Sequence, residues 1–249
     1  CGEAMVSGIS LVDSICVLLI GLFTAMASGG AVVAAQYMGH GDKEMVGRAS
    51  NQLFIAVGGV ALLFMTIALI WNRGLLALLY GNVEADVMSA ARIYFYIVAV
   101  SFPFLGIYNG GAALFRAVGD SKVSMKVSLV ANLVNIAGNA ILIYGFHRGT
   151  KGVAIPTLVS RMTAAIIIIA LLCDEKRTLH IERTWRYRIN WEMVKKILSI
   201  GVPNGLENSM FQLGKLAIQS TVSTLGTIAI AAQAMTNILE NLNGIAAIG

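Results

Sequence analysis

The chain has 249 residues, of which 57% are hydrophobic and 12% charged, against about 25% charged in an ordinary soluble domain. That balance excludes a water-soluble globular fold and places the chain among membrane proteins. The net charge of +5 sits mostly in a few connections, so it reads as membrane topology, and nucleic acid is excluded as its partner.

Taken in chain order, residues 14–41, 49–72, 93–115 and 127–147 contain no Asp, Glu, Lys or Arg, and 152–173 is broken only by Arg161. Two further apolar regions, 197–222 and 227–249, carry a few polar groups. Each is long enough for the roughly 20 helical residues that cross a bilayer. The residues are mostly Ala, Ile, Leu, Val and Gly without strict alternation. Backbone groups in lipid must bond within a helix or a closed barrel, and these runs are too long for barrel strands of about 10 residues. The expectation is an all-α polytopic bundle with seven spans.

The connections orient it. Residues 39–48, 116–126 and 174–196 hold twelve Lys and Arg, against four (Arg73, Arg92, Arg148 and Lys151) on the other side. The basic side is cytoplasmic by the positive-inside rule. Residues 1–173 then form the remainder of a first lobe, 174–196 a cytoplasmic inter-lobe linker ending in an interfacial helix, and 197–249 the start of a second lobe. The stretch "GEAMVSGISLVDSI" from Gly2 aligns without gaps on "GTIAIAAQAMTNIL" from Gly226, as expected for a parallel repeat in a two-lobe transporter. The chain starts without Met and stops inside an apolar run, so a fragment is expected. Cys1, Cys16 and Cys173 give no disulfide or metal spacing, and His40, His147 and His180 are isolated.

The segments "GGAVVAAQYMGHGDKE" (29–44), "ALFRAVGDSKVSMKVSLVANLVNIAGNAILIYG" (113–145), "IGVPNGLENSMFQLGKL" (200–216) and "LGTIAIAAQAM" (225–235) resemble the multidrug and toxic compound extrusion family. The resemblance covers essentially the whole chain. It implies the second to eighth helices of a twelve-helix, two-lobe exporter that moves organic cations across the cell membrane in exchange for sodium ions or protons. It also implies a coupling carboxylate on the helix that holds Glu207.

Polar residues inside the spans are the candidate sites. At about 100° per residue, Asn204, Glu207, Asn208, Gln212, Lys215 and Gln219 share one face about 140° wide. An ion at membrane depth costs about 2.5–3.5 kcal/mol on insertion scales, so this face should meet a wet cavity. Glu207 is the leading coupling residue, by exchanging a proton or by holding sodium with amide oxygens, and a helix-end carboxylate reaching water is the plainer alternative. Glu240 lies on a similar stripe with Gln233 and Asn237, and is either a second coupling carboxylate or a headgroup-facing end. Asn132, Asn135 and Asn139 fall within about 60° of one another, as interhelical ties or cavity lining. Asp13, near the start of its run, is expected to cap that helix. The glycine turns "GHGD" and "RAVGD" are expected to be structural.

Together these features predict a secondary antiporter, monomeric when complete, for small cationic substrates in a lipid bilayer. A flippase for lipid-linked saccharides is the alternative. No nucleophile and base are paired, so no enzyme is expected, and no cofactor beyond the coupling ion.

Overall fold

The computed structural model describes residues 3–80, 84–146, 148–174 and 190–223, together with Thr236. Among the described residues the regular structure is helical throughout: α1 (Glu3–Gly39), α2 (Lys43–Ile70), α3 (Asn72–Tyr80), α4 (Ala85–Ala99), α5 (Phe102–Ala117), α6 (Ser121–Ala140), α7 (Gly149–Leu172) and α8 (Trp191–Ser223), with a π-helical turn (Ile141–Gly145) ending α6. Helices α1, α2, α6 and α7 are long and apolar enough to cross a membrane, and α4 with α5 makes a fifth span if their 51° bend lies within one crossing. These are the first five uncharged runs. The 37 residues of α1 make a rod of about 55 Å, longer than the hydrocarbon layer of about 30 Å.

The structure changes three expectations. The run 93–115 is not one straight span. It breaks at Ser101, because Pro103 in the first turn of α5 has no N–H to give back to the preceding helix. Asp13 does not cap a helix, since α1 begins at Glu3 and Asp13 lies in its interior. Helix α8 forms over 33 residues, yet among the described residues it is not one of the helices apolar enough for a span. Asn204, Glu207, Asn208 and their polar neighbours lower its hydropathy. The seventh expected span lies outside the described residues, so at most five of the seven are seen.

Helix α1 is the axis of the first compact unit, Cys1–Gly205, and packs against α5, α2 and α4. Its Phe23 is fully buried, as are Phe95, Phe102, Phe115 and Leu53, and the Phe23 ring meets Phe64 edge-on with centroids 6.5 Å apart. Helix α6 lies at the edge, against α7 and α5, and buries only Val123, Ser124 and Val127. The start of α8 meets α1 through glycines. A Cβ on Gly29 would come within 2.5 Å of the Ile197 carbonyl oxygen and 2.7 Å of the Gly201 nitrogen, so the two backbones touch. Around that contact the Lys196 Nζ lies 5.2 Å from the centre of the Tyr37 ring, and the Asn190 N–H donates to Gln52 Oε1 at 3.1 Å.

The second compact unit is Leu206–Gly249. Its described part is the remainder of α8 together with Thr236, with Leu206, Met210 and Phe211 exposed.

The turn between α1 and α2 follows from its sequence. Gly41 takes the left-handed φ of 76° that few other residues tolerate, and Asp42 Oδ1 accepts the Met45 N–H at 3.0 Å, capping α2. At the start of α6 the Asp120 side chain makes no such cap. There Arg116 Nη1 donates to Ser124 Oγ at 3.1 Å.

Candidate functional site

Inside the first unit, polar side chains of α6 and α7 form one hydrogen-bonded group, and side chains of α1, α4, α7 and the α4–α5 break form hydrogen bonds further along. At the α6 end, Asn139 Nδ2 donates to Asn135 Oδ1 at 3.0 Å, Asn135 Nδ2 reaches Thr157 Oγ1 on α7 at 3.4 Å, and Thr157 Oγ1 donates to the Val153 carbonyl at 2.9 Å. Asn135 thus ties α6 to α7, one of the two roles expected for it. Asn139 Oδ1 is buried and has no partner. A buried carbonyl oxygen left unbonded costs about 1–3 kcal/mol, and a cation, a proton donor or a water would relieve it. The π-helical turn follows directly after Asn139 and Ala140, a position where such turns often mark function. Asn132, on the same helix, is exposed.

Thr157 and Arg161 are one turn apart on α7 and share a face. Arg161 Nη1 donates to Ser101 Oγ at 2.7 Å. Ser101 Oγ in turn donates to the Val98 carbonyl at 2.6 Å, so the guanidinium holds the break between α4 and α5. The buried Cys16 thiol of α1 lies close enough to Arg161 to feel its charge. One helix over, the Tyr94 hydroxyl donates to Asp13 Oδ1 at 3.0 Å. Asp13 and Arg161 each act electrostatically on both Cys16 and Tyr94. They nevertheless form no ion pair within 4.0 Å, and the salt bridge found among the described residues is the exposed pair Arg48–Glu44. Tyr94, Ser101 and Cys16 are buried, Arg161 is half-buried and Asp13 is exposed.

This arrangement offers hydroxyl and amide oxygens with one carboxylate and one guanidinium. It suits monovalent cations or protons and small charged molecules. Among the described residues no group of three or more His, Cys, Asp or Glu could hold a metal ion. A separate hollow of about 330 Å³ between α2, α5 and α7 is lined by Asn51, Phe54, Gly58, Ile107, Ile169 and Leu172 among others. It has no charged group to orient a ligand and shares no residue with the polar cluster.

The residues singled out on α8 are placed as follows. Asn204 is half-buried in the first unit, while Glu207 and Asn208 belong to the second unit and are exposed. Lys215 and Gln219 lie on α8, but their side chains are outside the described residues, as are Gln233, Asn237 and Glu240 entirely. Sequence reasoning missed Tyr94, Ser101 and Thr157 and gave Arg161 no role. The available signal was that Arg161 is the single charge in its run.

Comparison with known proteins agrees with this fold. The family model MatE matches residues 1–141. The chain is 26% identical to the probable multidrug resistance protein NorM of Thermotoga maritima, over 98% of this chain and 52% of that protein. It is 25% identical to the multidrug export protein MepA of Staphylococcus aureus, over 91% of this chain and 50% of that protein. Among solved structures, it is similar to the outward-facing conformation of a multidrug resistance MATE family transporter of the MOP superfamily, with a TM-score of 0.83 and 20% identity over 99% of this chain and 54% of the other. The chain spans about half the length of the curated relatives it matches.

Proposed function

Because this chain belongs to the MatE family, the multidrug and toxic compound extrusion transporters, we propose that it forms part of an exporter of small organic cations or drugs driven by a gradient of protons or sodium ions. The observation that carries the reading is the set of polar groups within the first unit, the unpartnered Asn139 oxygen on α6 and the charged Asp13 and Arg161 on α1 and α7. Ionic and amide groups at membrane depth are costly and are kept where they bind or carry something. Half-satisfied amide oxygens and carboxylates are the kinds of groups that coordinate sodium or pass a proton in two-lobe transporters. In the second lobe, Glu207 and Glu240 supply further candidate coupling carboxylates. The multidrug names of the relatives favour drug export over movement of lipid-linked saccharides. In this reading the complete protein works as a monomer in the cell membrane, with residues 174–196 on the cytoplasmic side. A cysteine at position 184, replacing Thr184 in a Cys-free background, should resist impermeant reagents added to intact cells.

The test uses the full-length transporter in proteoliposomes loaded with a cationic dye under an imposed proton or sodium gradient. Wild type should export the dye under one of the two gradients, and Glu207→Gln at matched protein amounts should lose about tenfold or more of gradient-driven efflux. That loss corresponds to about 1.4 kcal/mol or more of coupling. Wild type inert under both gradients would sink the ion-coupled reading. Full efflux by Glu207→Gln, with unchanged pH and sodium dependence, would make Glu207 structural and leave Glu240 as the stronger second-lobe candidate.

A further inference from the structure

The hollow between α2, α5 and α7 shares no residue with the polar groups invoked for export. On α2 it is lined by Asn51, Phe54, Ile55 and Gly58, the spacing of one helix face, over a length of about 10 Å. On α7 it is lined by Ile169, Leu172 and Cys173, and α5 adds Ile107. Gly58 leaves room there, since a Cβ added to it would meet nothing within 4 Å. The walls, in contrast, are closely set. A Cβ on Gly110 of α5 would lie 3.4 Å from the Phe54 ring, and one on Gly111 would lie 2.6 Å from Ile168 of α7. The polar groups of the lining sit at one end. Consecutive spans alternate in direction, so the start of α2 and the end of α7 lie on the same side, that of the basic connections 39–48 and 174–196. Asn51 is the first lining residue on α2, and Cys173, an exposed free thiol, is the last on α7. Further in, the lining is apolar.

We propose that this hollow binds a single-chain amphiphile with an uncharged hydrogen-bonding head, of the long-chain alcohol class. Its chain lies along the α2 face toward Gly58, and its head meets the Asn51 amide. The volume of about 330 Å³ is near the lower end of the range for ligand pockets, ~300–1,000 Å³, which suits one chain and not a whole phospholipid. A charged ligand would give up its water against a lining that offers no countercharge. A peptide would bring backbone N–H and C=O groups that a single amide cannot satisfy. An alkyl chain has no such groups to satisfy, and the Asn51 side chain can both donate to and accept from a hydroxyl. The site does not depend on the export reading and requires only that these helices lie in a bilayer.

The test uses the full-length protein in phospholipid nanodiscs, with Cys173 as its single cysteine, and reads how fast a maleimide alkylates that thiol. Decanol should slow alkylation. Undecane, which has the same length and a methyl group in place of the hydroxyl, should need about fivefold more for the same protection, the size of one net hydrogen bond. Asn51→Leu should abolish the difference between the two probes. Gly58→Leu, which fills the hollow from its apolar end, should abolish protection. Gly58→Ala, whose one added carbon has room, should fold as wild type and weaken protection in part. A decanol bearing a diazirine should cross-link within residues 51–58 and 169–173. No slowing by decanol overturns the proposal, and so does equal slowing in wild type and the Gly58 variants, which would be an effect on the bilayer. Cross-links found only elsewhere overturn it even if Gly58→Leu fails to accumulate. None of these readouts involves transport, so protection and cross-links in a protein inert under every gradient would leave the site standing while the export reading falls.

Discussion

Helix α1 is joined to its neighbours in two different ways. Against α8 it uses shape alone, with Gly29 set so close to Ile197 and Gly201 that no extra carbon fits. Against α4 and α7 it uses polar groups, with Asp13 taking the Tyr94 hydroxyl and Cys16 lying beside Arg161. Between helices in lipid the hydrophobic effect adds little, so close packing of small residues and interhelical hydrogen bonds do most of the joining. The glycine contact is intolerant, because the atom it meets is backbone and cannot turn away. The polar contact is tolerant, because side chains can re-aim, but it leaves charge available to something else. Substitutions at the first should break the structure, and substitutions at the second should alter what the protein handles.

Gly29→Val is the largest expected effect. Even the first carbon of the new side chain would fall 2.5 Å from a carbonyl oxygen, so the cost should exceed the usual 1–3 kcal/mol of overpacking. Full-length protein carrying it should be largely absent from the monodisperse peak in size-exclusion chromatography. Gly21→Ala, where the added carbon meets nothing within 4 Å, is the matched control and should behave as wild type. A normal peak for Gly29→Val would mean that the α1–α8 contact is not held by shape.

Ser101→Ala should come second, at about 1–3 kcal/mol, because it strips the Arg161 guanidinium of its hydroxyl partner and removes the extra bond at the Val98 carbonyl. Thermal unfolding in detergent reads this directly. An unchanged midpoint would show that the α4–α5 break needs no polar support. Tyr94→Phe should be smallest, at about 0.6 kcal/mol, typical of a membrane interhelical hydrogen bond. In a double-mutant cycle with Asp13→Asn the two changes should be non-additive, and strict additivity would remove the bond from the energetics. A Tyr94→Phe cost as large as that of Gly29→Val would erase the contrast between the two contacts.

Much of the framework was legible because charge is expensive in hydrocarbon. Runs without Asp, Glu, Lys or Arg located α1, α2, α6, α7 and the α4–α5 pair to within a turn or two at most ends. The exceptions were the start of α4, where Arg92 cut the run short, and the start of α1, where Glu3 and Asp13 made the helix look shorter than it is. A carboxylate inside a helix is affordable when a partner comes from elsewhere, and the partner of Asp13 lies 81 residues away, beyond the reach of any local pattern. The bend at Ser101 was hidden for a related reason: Pro103 marks it, but the guanidinium that steadies it arrives from α7. On α6, spacing alone placed Asn135 and Asn139 on one face, and the structure joins them. It could not reveal that one Asn139 oxygen would be left without a partner, since that depends on what α5 and α7 fail to offer.

The tight turn at Gly41 bears on how the chain is made. Only residues 40–42 separate the end of α1 from the start of α2, too few to trail behind as a loose tether while one helix settles ahead of the other. During synthesis the two must therefore pass from the insertion machinery into the bilayer as one folded-back pair. With the cap at Asp42 already closed, their register is set before the α7 partner of the polar cluster has left the ribosome.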